Sequence, residues 1–396
     1  MDQQILISGG GVPGLVLAIL LGQEGIQATV IDPVKPPRLT KAKADDGHTT
    51  ALMQSSLDIL SQTGVLDDIR ARCGRMNALK IMDVTGAEAV EQNFDSLEID
   101  QESFGLNIPV GVLRAALAEK AASLKSVTIH FGRSLMDYTA DPHGVTARLD
   151  NKKELRGALL VGADGRKSVV RAVARIDAIQ KDYGQDALTF LVAHSKDHQN
   201  ISTELHRPGG PLTFVPLGEK TSSVVWVEKR ATAKALHNLK TPEFQEKLQK
   251  ASRDVLGGVT LQSAVSRRGL ILMAAQKLTA QRVALMAEAA HALHPMGAQG
   301  LNLSLRDSQT LADLVIDQCC LGLDPGATQL LKKYERSRRV DIAGRVAATH
   351  GLVKSLTHTN PALHKARRAG LKILASISPL KTILMRAGMT GRTFGT

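Results

Sequence analysis

Three glycines and one aspartate near the N-terminus have the types and spacing that bind a dinucleotide. Gly9, Gly11 and Gly14 follow an apolar stretch directly, and Asp32 ends a second apolar stretch about 20 residues later. In this pattern the first glycine permits a tight turn, the second lets a pyrophosphate approach the backbone, and the third allows close helix packing. The positive end of a helix then faces the phosphates, and the Asp32 carboxylate accepts from a ribose hydroxyl. The motif predicts a dinucleotide site, but by itself it does not separate FAD from NAD.

A second polar segment follows an apolar stretch in the middle of the chain. Leu159 to Gly162 is apolar, Asp164 and Gly165 come next, and a basic stretch runs on to Arg171. Asp-Gly is also a common sequence of tight turns that bind nothing. On its own this segment therefore leaves a ligand site and a plain turn equally open.

A third segment combines an acidic residue, a loop rich in proline and glycine, and the start of a long apolar helix. Glu288 ends a predicted strand and can hydrogen-bond a polyol chain, and the helix begins between Gly300 and Leu303. Backbone N–H groups at a helix start can point at an anion or at the electron-rich edge of a ring. His291 and His294 lie between these features, but no cysteine or carboxylate spacing completes a metal site. We interpret them as loop histidines and expect no metal.

These segments need a fixed order of elements to hold them. The sequence predicts a buried strand over Gln4 to Ser8, an apolar helix that runs to Gly22, and a second strand over Ala28 to Ile31. Further strands are predicted over Leu188 to Ala193, Leu212 to Val215 and Ser223 to Val227. From Leu311 onward the pattern is helical.

Length and composition limit the class of protein. The chain has 396 residues, of which 43% are hydrophobic and 22% charged, so it fits a globular protein with about two domains. Its longest apolar run, Val12 to Leu21, is shorter than the ~20 residues of a membrane span. We expect no secretory signal, and three cysteines without a CxxC pair indicate a reducing cytoplasmic setting.

The net charge of +12 is concentrated at one end of the chain. Asp341 is the last acidic residue, and nine basic residues follow it; before that point 41 basic residues face 38 acidic ones. This distribution and an aromatic content of 3% argue against nucleic-acid binding. The basic and apolar residues around Leu371 to Ile377 are typical either of an amphipathic helix on an anionic membrane or of a solvated helical face.

Taken together, the three segments resemble the FAD-dependent aromatic hydroxylases, the class A flavoprotein monooxygenases. The shared features are the N-terminal fingerprint, the central Asp-Gly, and a late acid-Ala-Ala-His…Pro-x-x-Gly-Gln-Gly-x-Asn segment. Other stretches narrow the resemblance to the ubiquinone-biosynthesis branch, and it spans the whole chain. These stretches are Asp46 to Leu52, Phe104 to Pro109, Val112 to Leu117, Phe214 to Leu217, Gly297 to Asp307, Tyr334 to Asp341 and Met385 to Met389.

The resemblance implies an FAD/NAD(P)-binding Rossmann-like α/β fold with an inserted mixed-sheet substrate domain and a C-terminal helical segment. The FAD-binding domain is then discontinuous, made of residues 1–75, 100–175 and 268–340. Residues 76–99 and 176–267 form the substrate-domain sheet, and residues 341–396 form the basic helical segment.

The resemblance also implies a reaction and its partners. Reduced flavin activates molecular oxygen and transfers one oxygen atom to the ring of a polyprenylated phenol, and NAD(P)H is the expected reductant. The basic C-terminus would meet a membrane surface or a quinone-biosynthesis complex, which places the protein in the cytoplasm at the periphery of the inner membrane. No nucleic acid is expected as a partner.

The family positions imply a set of cofactor contacts, while the catalytic residues stay unassigned. The loop from Gly297 to Asn302 would lie against the flavin, with backbone donors near its pyrimidine edge. Asp164 would lie in the region shared by FAD and reductant, and Asp32 would take the adenosine ribose. The full set is Gly9, Gly11, Gly14, Asp32, His48, Arg114, Asp164, Glu288, Gly297, Gln299, Gly300, Leu301 and Asn302.

Departures from the family pattern cluster on the cofactor. His48 stands where arginine is usual, Val110 where asparagine or arginine is common, Ala287 and Ser304 where glycine is usual, and Glu288 where aspartate is commoner. Of these, His48, Val110 and Ala287 raise a second hypothesis, a weakened or non-catalytic relative that acts within a quinone-biosynthesis assembly. A third is another reaction on the same scaffold, such as hydroxylation of a different phenolic compound or reduction of a prenyl chain.

Overall fold

The computed structural model describes residues 4–42, 47–86, 88–357, 370, 381–383 and 385–386. Its strands are β1 Ile5–Ser8, β2 Ala28–Asp32, β3 Thr49–Met53, β4 Gly74–Met76, β5 Ala78–Asp83, β6 Val90–Asp95, β7 Gly105–Pro109, β8 Val127–Phe131, β9 Leu135–Ala140, β10 Val145–Leu149, β11 Glu154–Gly157, β12 Leu159–Gly162, β13 Ala178–His194, β14 Ile201–His206, β15 Leu212–Gly218, β16 Thr221–Lys229, β17 Val259–Leu261, β18 Ser266–Ala275, β19 Thr279–Ala280, β20 Val283–Leu285 and β21 His291–Ala292. Its α-helices are α1 Val12–Gln23, α2 Gln54–Gln62, α3 Leu66–Ile69, α4 Val110–Ser123, α5 Val169–Val173, α6 Arg230–His237, α7 Thr241–Ser252, α8 Ala287–Ala290, α9 Gln299–Cys320 and α10 Thr328–Thr357.

A mostly parallel sheet of six strands takes its members from distant parts of the chain. Its order is β19-β20-β12-β1-β2-β8, and only the β19–β20 pair is antiparallel. Ile5 of β1 pairs with Ala28 of β2 on one side and with Leu159 of β12 on the other. The central strands β1 and β12 are buried along their whole length because α1 and the β9–β11 strands pack against this sheet.

Helix α1 connects β1 to β2 and lies in the middle of the core. Its residues from Gly14 to Gly22 are all buried because α4 and α9 pack against it. Pro13 occupies the first turn, where a missing N–H group costs nothing. Ser308 of α9 donates from its hydroxyl to the Pro13 carbonyl at 3.0 Å, which fixes the start of α1 against α9.

A larger sheet forms the second layer of the molecule. Its order is β21-β18-β13-β16-β15-β14-β5-β6, with β17 paired on β13, and only the β14–β5 pair is parallel. Helices α6 and α7 cover one face through a core that contains Phe190, Phe214, Trp226 and Phe244. Because strand residues alternate between faces, their neighbours line the opposite face.

A three-stranded sheet of order β3-β7-β4 lies between the two layers. Asn107 of β7 donates from its side chain to the Pro216 carbonyl at 2.9 Å and to the Ser223 hydroxyl at 3.0 Å. Thr49 of β3 also bonds Ser223, at 2.7 Å between the hydroxyl oxygens. These bonds hold β3 against the large sheet. A further antiparallel sheet, β11-β10-β9, precedes β12.

The expected α/β fold class is confirmed, and the predicted elements are present with shifted ends. The apolar helix continues one residue past Gly22, and the strand predicted over Leu188 to Ala193 is part of the 17-residue β13. The large sheet extends beyond residue 267, through Ala275 and into β21.

The predicted basic amphipathic helix falls mostly outside the described residues. Within the described part, Lys381 forms an ion pair with Glu98 at 2.6 Å, and Met385 packs with Ile99 and Phe104. Among the helices that the structure describes, none is both long and apolar enough to cross a bilayer.

Candidate functional site

The three segments singled out in the sequence meet at one edge of the parallel sheet. Gly9 follows β1, Asp32 is the last residue of β2, Asp164 follows β12, and Glu288 follows β20. The carboxyl edge of such a sheet is where ligands bind in doubly wound folds. A Cβ placed on Gly9 would lie 2.2 Å from the carbonyl oxygen of Ala163, so the glycine turn and the Asp-Gly segment pack directly on each other.

The three glycines of the first motif differ in what surrounds them. Gly9 has a φ of +115°, and a Cβ on Gly14 would lie 2.0 Å from the Gly9 carbonyl oxygen, so these two positions need glycine for backbone packing. Beside Gly11 there is open space, since the nearest atom to an added Cβ is Cδ of Pro13 at 3.9 Å. No side chain caps the start of α1. A pyrophosphate fits this open, uncapped helix start.

Arg114 of α4 binds the acidic residue of the motif. Its guanidinium donates to Asp32 Oδ1 at 2.9 Å and to the Gly10 carbonyl at 2.7 Å. The Asp32 carboxylate also accepts from the Gly10 N–H and the Val34 N–H, both at 2.7 Å. A carboxylate has about four acceptor positions. Three are used here, which leaves one for a ribose hydroxyl.

Asp164 has one satisfied and one unsatisfied carboxylate oxygen. Oδ2 accepts from the N–H groups of Val169 at 2.8 Å and Val170 at 3.2 Å, at the start of α5. Oδ1 is buried and has no hydrogen-bond partner among the described residues. Burial raises the pKa of Asp164, although the hydrogen bond with Ser168 opposes it. A buried acceptor without a donor costs about 1–3 kcal/mol, and a ligand hydroxyl would remove that cost.

Glu288 forms an ion pair with a residue that the sequence reasoning did not single out. Arg166, two residues after Asp164, approaches Glu288 Oε1 to 3.0 Å and also donates to the Gly269 carbonyl at 3.3 Å. The pair joins the Asp-Gly turn to α8. The only sequence signal for this ion pair was the basic character of the turn that contains Arg166.

Two alanines at the site adopt the left-handed backbone conformation that favours glycine. Ala287 has a φ of 52° and Ala298 a φ of 53°. Ala287 is the departure identified in the sequence, and its N–H donates to Asp307 Oδ2 at 3.0 Å. Ala298 occupies the position of the first glycine in the family's Gly-Gln-Gly pattern, and the sequence reasoning did not identify this departure. A left-handed conformation costs a non-glycine residue about 1–2 kcal/mol.

The loop before α9 presents backbone groups beside open space. Gly297 has a φ of 72°, and a Cβ on Gly300 would meet no atom within 4 Å. Helix α9 begins at Gln299 without a side-chain cap, and Leu301 packs against the main core. Gln299 donates to the Gly297 carbonyl at 2.9 Å and accepts from Arg345 of α10. The first turn of α9 therefore leaves donors for the edge of a ring.

Asn302 holds this loop against β3. Its Oδ1 accepts from the Met53 N–H at 2.9 Å, and its Nδ2 donates to the carbonyls of Ala51 at 2.9 Å and Ala298 at 2.7 Å. The side chain is 3% exposed. The hydrogen-bonding groups of the Asn302 side chain are therefore used by the protein itself, and Asn302 contributes to the site by positioning the loop.

Two further departures from the family pattern lie next to each other. His48 precedes β3 and is half-buried, and its carbonyl accepts from the N–H of Val110 at 3.0 Å. Val110 is the first residue of α4. Both changes therefore affect one corner of the site, near Arg114.

A buried charge network supports α8, α9 and α10. His291, in β21 rather than in a loop, bonds Asp307 Oδ2 at 2.6 Å, and Arg338 donates to Asp307 Oδ1 at 2.7 Å. Burial alone raises the pKa of Asp307, but the charges and hydrogen bonds of His291 and Arg338 lower it to about 2. Arg338 and Arg345 both bind Asp341, at 2.9 and 3.1 Å. No motif or spacing in the sequence predicts these contacts. The part of the chain that the structure describes holds no cluster of metal ligands.

Comparison with known proteins decides which dinucleotide this site takes. Residues 2–349 match the FAD-binding domain family. The chain belongs to this family. The expectations of an FAD cofactor and of a resemblance to FAD-dependent hydroxylases are confirmed.

Relatives of this FAD-binding protein include two ubiquinone enzymes. It is 32% identical to ubiquinone hydroxylase UbiL of Rhodospirillum rubrum, over 97% of this chain and 89% of that protein. It is 29% identical to 3-demethoxyubiquinol 3-hydroxylase of Escherichia coli, over 85% of this chain and 86% of that protein. The structure of p-nitrophenol 4-monooxygenase PnpA from Pseudomonas putida has the same fold, with a TM-score of 0.81, 19% identity and 99% coverage of both chains.

The residues present fit an FAD molecule. Open space beside Gly11 and Gly300, the uncapped helix starts and the unpartnered Asp164 oxygen are the groups that a dinucleotide with a polyol chain and a flavin ring would use. When bound, FAD supplies the redox and oxygen chemistry. The protein binds and orients it.

Proposed function

We propose that this FAD-binding protein hydroxylates the aromatic ring of a polyprenylated phenol in ubiquinone biosynthesis, with molecular oxygen as co-substrate and NAD(P)H as reductant. The observation that carries the proposal is the convergence of the glycine turn, Asp164 and the loop before α9 on one crevice with open space and an unpartnered buried oxygen. The names of the relatives from Rhodospirillum rubrum and Escherichia coli support the substrate class.

Each group of site residues has a proposed role toward FAD. The start of α1 at Gly11 binds the pyrophosphate, and Asp32, oriented by Arg114, takes the adenosine ribose. Asp164 Oδ1 accepts from a hydroxyl of the polyol chain. The backbone of the loop before α9 binds the flavin edge, while the large sheet excludes water from the reacting ring. The proposed set is Gly9, Gly11, Gly14, Asp32, His48, Arg114, Asp164, Glu288, Gly297, Gln299, Gly300, Leu301 and Asn302.

The domain division and the location are proposals as well. Residues 1–75, 100–175 and 268–340 would carry FAD, and residues 76–99 and 176–267 the substrate. The basic segment 341–396 would bring the protein to the cytoplasmic side of the inner membrane, or to a quinone-biosynthesis complex, through its excess of lysine and arginine. Flotation with anionic vesicles tests this: the full chain floats, and a chain ending at residue 357 does not.

One observation favours a second candidate function, a weakened family member that acts in an assembly. Ala287 and Ala298 hold strained conformations beside the proposed flavin position. The affinity for FAD falls if these segments relax in the unbound protein and FAD binding must restore the strained conformations. Purified full-length protein distinguishes the two candidates. A yellow protein, or one that becomes yellow with added FAD, supports the hydroxylase, whereas a colourless protein that takes up no FAD supports the second candidate.

Lipid analysis of a deletion strain tests the reaction. We expect ubiquinone to fall and a precursor that lacks one ring oxygen to accumulate, with rescue by the intact gene. Gly11→Val fills the space reserved for the pyrophosphate and should not rescue. Gly351→Val, at an exposed helix position with no atom within 4 Å, is the matched control and should rescue. Normal ubiquinone without a precursor contradicts the proposed function.

A further inference from the structure

The C-terminal residues that the structure describes are docked on the short 3₁₀ turn Ser96–Ile99, which follows β6. Lys381 Nζ donates to Glu98 Oε1 at 2.7 Å and lies 2.6 Å from Oε2 of the same carboxylate. Arg386 lies 3.8 Å from Asp100 Oδ2. Burial raises the pKa of Glu98, but the hydrogen bond from Lys381 lowers it overall, so Glu98 is a carboxylate near pH 7. Two cations from the end of the chain therefore neutralise two acids at this turn.

Apolar side chains near these ion pairs form one buried and one exposed group. Met385 is 7% exposed and packs with Ile99 and Phe104, which fixes the docked segment. Leu97, next to Glu98, is 72% exposed, and Ile383, two residues after Lys381, is 46% exposed. Single exposed apolar residues are common on protein surfaces. Here two of them come from distant parts of the chain and flank one ion pair.

We call Leu97, Glu98, Lys381 and Ile383 the C-terminal corner. Four basic residues stand shortly before Lys381 in the sequence, and no acidic residue follows Asp341. The four are Lys365, Arg367, Arg368 and Lys372. Because Lys381 is docked on Glu98, chain connectivity keeps this basic segment close to the corner. Exposed apolar side chains beside a basic segment fit an anionic bilayer, in which apolar groups enter the headgroup region and lysine and arginine bind anionic lipids.

We propose that the C-terminal corner is a membrane-docking surface for an anionic bilayer, with Leu97 and Ile383 inserted among the lipid headgroups. This surface deepens the proposed membrane location and rests on it. The turn alone carries Glu98 and faces Asp100, and anionic lipid repels such an acidic surface. Docking of Lys381 and Arg386 removes this repulsion and joins the exposed apolar pair to the basic segment.

The corner is connected to the candidate site through its buried cluster. Met53 of β3 packs in the same cluster as Met385, and the Met53 N–H donates to Asn302 Oδ1 at 2.9 Å. A bilayer bound at the corner therefore lies on the side of the molecule where β3 meets the start of α9.

Partition into vesicles tests the corner with matched serine variants of the full-length protein. The vesicles are phosphatidylcholine with about 30% phosphatidylglycerol. Leu97→Ser and Ile383→Ser should each lower the partition coefficient about 5- to 30-fold, because each removes an inserted apolar side chain. Met136→Ser on β9 and Ile179→Ser on β13 replace side chains that are 57% and 64% exposed. These controls should stay within about 2-fold of the wild type.

A tryptophan at position 97 measures insertion separately from binding. The chain has one tryptophan, Trp226, which is 2% exposed and gives a constant background. In Leu97→Trp the added emission should shift to shorter wavelength with anionic vesicles and be quenched by brominated lipid. Met136→Trp should show neither change. Circular dichroism and flavin content establish that each variant folds.

Two results overturn the corner even where the protein binds vesicles through its basic residues. One is an equal partition coefficient for the wild type and all four serine variants, and the other is an unshifted emission in Leu97→Trp. A wild type that binds no anionic vesicles overturns the corner and the proposed location together. The proposed reaction is tested independently by the lipid analysis of the deletion strain, which does not depend on vesicle binding.

Discussion

The guanidinium of Arg345 donates to the side-chain oxygen of Gln299, and this bond joins α10 to the first turn of α9. Arg345 also binds Asp341 at 3.1 Å, and its side chain is only 13% exposed. The Gln299 amide in turn donates to the Gly297 carbonyl. Helix α10 therefore fixes the loop on which the flavin is proposed to lie, although none of its residues belongs to the cofactor set that the family positions imply.

Replacing Arg345 should weaken FAD binding. In Arg345→Ala the Gln299 amide loses its charged partner, and since a hydrogen bond to a charged group contributes about 1.5–3 kcal/mol, the FAD dissociation constant should rise about 10-fold or more. Titration of FAD-free protein measures it. Arg336→Ala, on an exposed position of the same helix, is the control. Equal FAD affinity in both variants would show that α10 does not act on the loop.

Glycine at position 287 should stabilise the protein. Ala287→Gly removes a left-handed alanine at about 1–2 kcal/mol and adds about 0.5–1 kcal/mol of backbone entropy cost, so the free energy of unfolding should rise by about 0.5–1 kcal/mol. Urea unfolding measures the change. Ala289→Gly lies in the same short helix without a positive φ and should be destabilising. If both variants lose stability, the conformation at residue 287 carries no strain.

His294 should make stability depend on pH. Its pKa is lowered to about 4 in the folded protein and is near 6.5 when unfolded, so between these values the unfolded chain binds more protons. Stability is then fully present above pH 6.5 and is lost as the pH falls to about 4, by about 3 kcal/mol. The difference between wild type and His294→Gln in unfolding at pH 7 and pH 4.5 isolates this contribution. If the free energy of unfolding changes equally with pH in the two proteins, His294 does not make this contribution.

Asp307 should be the most sensitive acidic position in α9. Asp307→Asn removes the charge that both His291 and Arg338 require, and breaking a buried ion pair costs about 3–5 kcal/mol. Denaturant unfolding measures the loss. Asp317→Asn on the exposed side of the same helix should change stability by less than about 0.5 kcal/mol. Similar losses in the two variants would mean that the network contributes little.

The parts of the site that follow strands could be predicted from sequence. Gly9, Asp32 and Asp164 each follow a short apolar run within a few residues, and local spacing is enough to place them at one sheet edge. The FAD cofactor followed from the order of the motifs rather than from any one of them.

The partners of these residues could not be predicted in the same way. Arg114 lies 82 positions from Asp32, and Arg166 lies 122 positions from Glu288, so only the folded chain brings each pair together. The sequence reasoning considered His291 and His294 for metal binding and interpreted them as loop residues. Their burial and their hydrogen-bond partners depend on long-range packing that no local pattern encodes.

The strand order of the parallel sheet has a consequence for synthesis of the protein. β12 lies between β1 and β20, and α1 is covered by α9. During synthesis, β12 gains its second neighbouring strand only after Leu285, the end of β20, has been made. Helix α1 is covered only after Cys320, the end of α9, has been made. Nascent chains shorter than this expose α1, so they are substrates for chaperones, and release of a truncated chain leads to aggregation.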